Sequence, residues 1–126
     1  MNGNRIIVDT NIAIYFLLGY KEVEQFFYKF NQVFSFISEL KLISGKDFDS
    51  NELDEIQKFL TKQVILGYIP EIKDIVVKIR REKKLKLPDA IIAAIAIYFD
   101  IPLVTSDKSF IGIDGINLIY NEPAAL

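Results

Sequence analysis

The sequence predicts an α/β protein with a mostly parallel sheet and helices on both of its faces. Three observations carry this. Short β-branched or apolar runs alternate with stretches of helical periodicity along the chain. No composition break, internal repeat, low-complexity tract or linker divides it, so residues 1–126 read as a single domain. Apolar residues make up 51% of the 126 positions, enough to bury a sizeable core.

The elements follow in order. Ile6-Ile7-Val8 is a β-branched run that stops at the polar turn Asp9-Thr10-Asn11, the pattern of a buried strand. Residues 12–18 and 22–30 read as helices punctuated by Gly19. Val33 to Phe36 is a second strand, and the helix after it stops at Gly45, a suitable C′ residue. Asp49-Ser50-Asn51-Glu52 has the spacing of a capping box, with Leu53, Ile56, Phe59 and Leu60 recurring at helical spacing behind it. Val64-Ile65-Leu66 is a third strand, and Ile72, Ile75, Val76 and Ile79 mark an amphipathic helix. Pro88-Asp89 opens a helix that is apolar nearly all round and so belongs deep in the core. Pro102 to Thr105 and Asn117 to Tyr120 supply the last two strands.

The longest apolar run, 90–99, is too short to cross a bilayer. The N-terminus lacks a signal-peptide core and cleavage site. The expectation is a soluble, cytoplasmic protein with no membrane partner. The chain has no cysteine and no histidine, which removes disulfides, thiolate zinc sites and imidazole catalysis. Any chemistry must come from carboxylates, hydroxyls, amides, lysine, arginine and a hard metal ion. A net charge of −2 gives no global attraction to nucleic acid. A local one is available in the basic run Lys78, Arg80, Arg81, Lys83, Lys84 and Lys86, which otherwise reads as a solvated helix face. The Phe and Tyr residues of the 15–36 region are too many to lie all on the surface, and fit a core or an interface.

Sites on open α/β sheets form at the carboxyl ends of the strands. Asp9 follows the first strand and Asp107 follows the fourth, while Asp89 opens the most buried helix. Taken singly, each has a structural role: a turn or N-cap for Asp9, a dipole partner for Asp89, a cap of the turn at 108–111 for Asp107. Together they place three acids at one sheet edge. Carboxylates gathered there stay ionised only with compensating cations, and an all-oxygen set suits Mg²⁺ or Mn²⁺, ions that serve phosphodiester hydrolysis. Asn11, Thr10, Thr105 and Ser106 are hydrogen-bonding neighbours for ligand, water or the local turn. Competing phosphate motifs are absent: no Gly-x-Gly-x-x-Gly follows a strand, Gly45-Lys46 lacks the P-loop's earlier glycine, and Asp9 has no second Asp two residues on.

The succession IIVDTN, then Ser, two residues and an acid region before Leu and Gly, then LPDAIIAAIA, then LVTSDKSF, resembles the PIN domain, and in particular the VapC toxins of VapBC toxin–antitoxin pairs. LPDAIIAA and LVTSD are its specific parts. The resemblance implies an α/β/α sandwich and a Mg²⁺- or Mn²⁺-dependent endoribonuclease acting on single-stranded RNA. It also implies a homodimer and a cognate antitoxin covering the groove. By motif, Asp9, Asp89 and Asp107 correspond to three of the family's acidic residues and metal ligands.

The family's fourth acid falls in SFISELKLISG. With Ser38 at the hydroxyl position, Leu42 at the leucine and Gly45 at the glycine, the Glu position is Lys41, whereas the nearest acid is Glu39. In a helix these two point about 200° apart. Three arrangements follow. Glu39 reaches the site from a non-helical strand end and helps catalysis. Alternatively Lys41 enters and pairs with the aspartates, weakening or abolishing turnover and leaving an RNA- or protein-binding module. Or the three aspartates suffice with weaker metal affinity.

Overall fold

The structure, a computed structural model, describes residues 4–123. Five strands, β1 (Arg5–Val8), β2 (Asn31–Ser35), β3 (Val64–Leu66), β4 (Leu103–Thr105) and β5 (Leu118–Tyr120), form one sheet. Its order is β3-β2-β1-β4-β5, and every neighbouring pair is parallel. Among the described residues six α-helices accompany it: α1 (Thr10–Leu17), α2 (Lys21–Tyr28), α3 (Phe36–Ile43), α4 (Ser50–Thr61), α5 (Lys73–Glu82) and α6 (Leu87–Phe99). The α/β/α expectation holds.

The layering follows from side-chain alternation along the strands. Ile7 on β1, Val33 on β2 and Leu103 on β4 face one core, which α5 and α6 cover. Ile6 and Val8, Phe34 and Val104 face the other, which Ile12 and Ala13 of α1, Val23, Phe26 and Phe27 of α2, Leu42 of α3 and Ile56 and Leu60 of α4 close. The register sets Ile7 beside Val33 on one side and Leu103 on the other. Strands buried on both faces are continuously apolar, which is why they are short β-branched runs rather than alternating ones.

Most of the aromatics of the 15–36 region are core. Phe26, Phe27 and Phe34 are buried, Phe16 stacks on Phe27 with ring centroids 3.9 Å apart, and Phe34 meets Phe59 edge-on at 5.7 Å. Tyr28 is the exception, at 74% exposure. Helix α6 is buried through Ala90 and Ile92 to Ala96, and its small alanines let sheet and helix approach closely. It ends at Asp100 in the left-handed conformation, φ 54°. Among the described residues, no helix is long and apolar enough to cross a membrane.

Three boundaries move from the expected ones, two of them for a reason of capping. Helix α1 begins at Thr10 because the Asp9 side chain accepts from the Thr10 N–H and caps it. Strand β2 ends at Ser35, because Ser35 Oγ accepts from the Ser38 N–H and starts α3 at Phe36. Helix α2 stops at Tyr28, leaving Phe30 outside it. The capping box forms as expected: Asp49 accepts from the Glu52 N–H at 2.8 Å and Glu52 from the Asp49 N–H at 3.0 Å.

Candidate functional site

The strand order runs one way from β1 through β2 to β3 and the other way through β4 to β5, so the sheet reverses between β1 and β4. A crevice opens at the carboxyl ends of such a pair. Asp9 directly follows β1, and Thr105 to Asp107 finish β4 and the turn beyond it.

Asp9 is 4% exposed and both of its oxygens are held. Oδ1 accepts from the Thr10 N–H at 2.8 Å and Oδ2 from the Thr105 hydroxyl at 2.6 Å. Burial raises its pKa above the ordinary value; the Thr105 and Thr10 hydrogen bonds pull it down, the Asp89 charge pushes it up and the Lys41 charge lowers it. Asp9, Asp89 and Lys41 therefore share one electrostatic environment.

Asp89 stands in the first turn of α6, whose N-cap Lys86 supplies no side-chain cap, so the carboxylate faces the positive end of the helix. Its Oδ1 lies 3.3 Å from the Lys41 ammonium. The phase of α3 explains why the lysine is there. Ser35 fixes the start of the helix, and Ser38 then turns inward, accepting from the Thr10 hydroxyl at 3.0 Å. Lys41 and Leu42 follow three and four residues on, along the same side. Leu42 is wholly buried and Lys41 reaches across to α6. Glu39, a third of a turn from Ser38, is half-buried and makes no hydrogen bond or ion pair among the described residues.

Asp107 is tied to the crevice by its backbone: its N–H donates to Thr105 Oγ1 at 3.0 Å. Its carboxylate turns the other way, accepting from the Ser109 N–H at 2.9 Å and capping the 3-10 turn Lys108–Phe110. Its charge is felt by Tyr120, whose hydroxyl donates to Glu122 and whose pKa is pushed up to about 12, chiefly by that hydrogen bond. One further residue escapes a reading of motifs. Asn121, just past β5, donates its backbone N–H to the Thr105 carbonyl, while its side-chain oxygen is buried without a partner among the described residues. The rule that sites lie past strand ends could have found it. The Ser38–Thr10 hydroxyl pair carries no sequence signal beyond the position of Ser38.

Of the six basic residues in the run, Arg80 donates to the Leu85 carbonyl at 3.0 Å and Lys83 to the Ile111 carbonyl at 2.6 Å. Lys78 sits 4.0 Å from Glu82. Arg81, Lys84 and Lys86 are exposed, the last two close in sequence to Asp89. A separate groove of about 650 Å³ between α1 and α4, lined by Ile14, Leu17, Leu18 and Phe59 among others, includes none of Asp9, Asp89 and Asp107.

The donor set at the crevice is all oxygen, the chemistry a hard divalent ion prefers. Its arrangement does not fit a resident one. Asp9 is hydrogen-bonded through both oxygens, Asp107 points into a cap, and the cation beside Asp89 is a lysine. Among the described residues, no three acids gather closely enough to hold a metal ion. The arrangement as it stands holds a fixed buried carboxylate at Asp9 and an ammonium–carboxylate pair one helix away.

A parallel sheet with acids at its switch point defines an α/β protein with a strand-edge site. The sequence pattern of the PIN domain matches residues 6–116, and the chain belongs to the PIN domain family. A toxin–antitoxin complex from Klebsiella pneumoniae is similar to it at 30% identity, over 88% of this chain and 94% of that one, with a TM-score of 0.77. DNA-bound VapBC from Salmonella typhimurium matches at 21% identity over 93% of this chain and 98% of that one, with a TM-score of 0.81. VapBC2 from Rickettsia felis, bound to a DNA fragment from the promoter, matches at 20% identity over 94% and 99%, with a TM-score of 0.77. No curated protein sequence matches the chain.

Proposed function

We propose that this chain is the toxin half of a toxin–antitoxin pair, an endoribonuclease that cuts phosphodiester bonds of single-stranded RNA when Mg²⁺ or Mn²⁺ is supplied. Asp9, Asp89 and Asp107 form its working edge, and it acts in the cytoplasm as a homodimer held in check by a cognate antitoxin. The observation that carries this reading is the buried Asp9, locked by Thr10 and Thr105 and facing the field of Asp89 at the switch point of a PIN-family sheet. The exposed Lys84 and Lys86 beside α6 suit the backbone of a polyanion. The toxin–antitoxin complex of Klebsiella pneumoniae supports the partner.

Purified protein incubated with varied single-stranded RNAs and either ion tests the reading. Cleavage is expected in the parent and its loss to background in Asp9→Asn. If the parent and Lys41→Glu are both inert with both ions, the nuclease reading fails. The Lys41–Asp89 pair favours a second reading, a PIN-fold module that binds RNA or protein with little or no turnover. Cleavage by Lys41→Glu alone would establish that reading for the natural chain.

A further inference from the structure

We propose that Lys41 is a tethered counter-cation: its ammonium takes the place beside Asp89 that a divalent ion would otherwise hold, and divalent ions reach the site only by displacing it. This deepens the nuclease reading and rests on it only for the site's identity, not for its turnover. Two observations converge. The ammonium is 3.3 Å from Asp89 Oδ1. Its position is built in, since Ser35 sets the phase of α3, Ser38 seats that face on Thr10, and Lys41 lies one turn further along.

The lysine side chain remains 41% exposed and Asp89 15%. An exposed ammonium on a flexible stem is a weak clamp, so the pair is displaceable rather than permanent. A like charge within a few ångströms nonetheless repels an incoming divalent ion, and a bound ion must first part the ammonium from its carboxylate. Removing the charge while keeping the stem length should therefore tighten divalent-ion binding by about tenfold or more, the effect of one neighbouring charge in a partly hydrated site. On α3, Glu39 lies about 200° round the helix from Lys41.

The test is Mn²⁺ binding to the full chain, read by electron paramagnetic resonance of the free ion in parent, Lys41→Met, Lys41→Glu and Lys62→Met. The last removes a lysine just beyond α4, at the opposite end of the sheet, and controls for net charge. Circular dichroism confirms folding in each. The expected order of affinity is Lys41→Glu, then Lys41→Met about tenfold or more above the parent, with Lys62→Met within twofold of the parent. Equal affinity in the parent and Lys41→Met overturns the proposal, as does Mn²⁺ binding to none of them. RNA cleavage on the same samples separates the two ideas. Tighter Mn²⁺ in Lys41→Met with no cleavage by any variant sinks the nuclease reading alone. Cleavage by the parent with Mn²⁺ affinity indifferent to Lys41 sinks the counter-cation alone.

Discussion

Asp9 holds a charge in surroundings that resist it. Burial raises its pKa above the ordinary 3.8, so the protonated acid is the form that folding favours. That contribution is fully present below pH 3.8 and is lost as pH rises through the folded value. At neutral pH, then, ionised Asp9 opposes folding. Asp9→Asn keeps an oxygen for the Thr10 N–H and turns an amide N–H toward Thr105, whose hydroxyl has a lone pair to accept it. Thermal melts should show the variant unfolding a few degrees above the parent at neutral pH, with the gap closing toward pH 3.8. A parent that is more stable at every pH would show that the charged hydrogen bonds outweigh burial. The placement of Asp9 and Asp89 was legible in the sequence, because a strand end and a helix start are local features. The choice between Glu39 and Lys41 was not. It depends on the phase of α3, and that phase is set where the Ser38 N–H donates to Ser35 Oγ.

At the scale of elements, the helix with the clearest signature is the one whose ends are held by its own residues. Asp49 and Glu52 satisfy two otherwise orphaned backbone donors of α4, in place of water. Asp49→Ala is expected to cost about 1 kcal/mol, seen as a lower urea midpoint with an unchanged slope. A change in the slope would mean that α4 melts separately from the rest. Where capping runs through a residue that also serves the site, sequence periodicity misplaces the boundary. Asp9 reads as a turn residue or an N-cap, and by capping it starts α1 at Thr10 rather than Ile12, while Ser35 reads as part of an apolar strand yet ends it. Asp107 likewise spends its carboxylate on the turn at Lys108–Phe110. Strand β4 was more legible, since a run buried on both faces carries its own bounds.

At the scale of the whole molecule, one sheet serves two cores, and its inner strands belong to both. Phe34 on β2 is wholly buried and packs against Phe59 of α4, so Phe34→Ala should cost about 3–5 kcal/mol, a large share of the roughly 5–15 kcal/mol that holds a domain together. Equilibrium urea unfolding measures it, and a loss under about 1 kcal/mol would mean that the cavity collapses. The parallel layout and its alternating faces could be read from the pattern of runs; the central place of β1 could not, because strand order is decided by contacts between distant parts of the chain. That distance has a consequence for biosynthesis. The hydroxyl that fixes Asp9 belongs to Thr105, 96 residues later, and β1 pairs with β4 as well as β2. On a ribosome, Thr105 is added roughly 5–20 s after Asp9. During that interval the emerging polypeptide carries its first acid without the strand that positions it. The acid edge is assembled only once β4 has been made, so the timing of any activity is set by the order in which the chain is made.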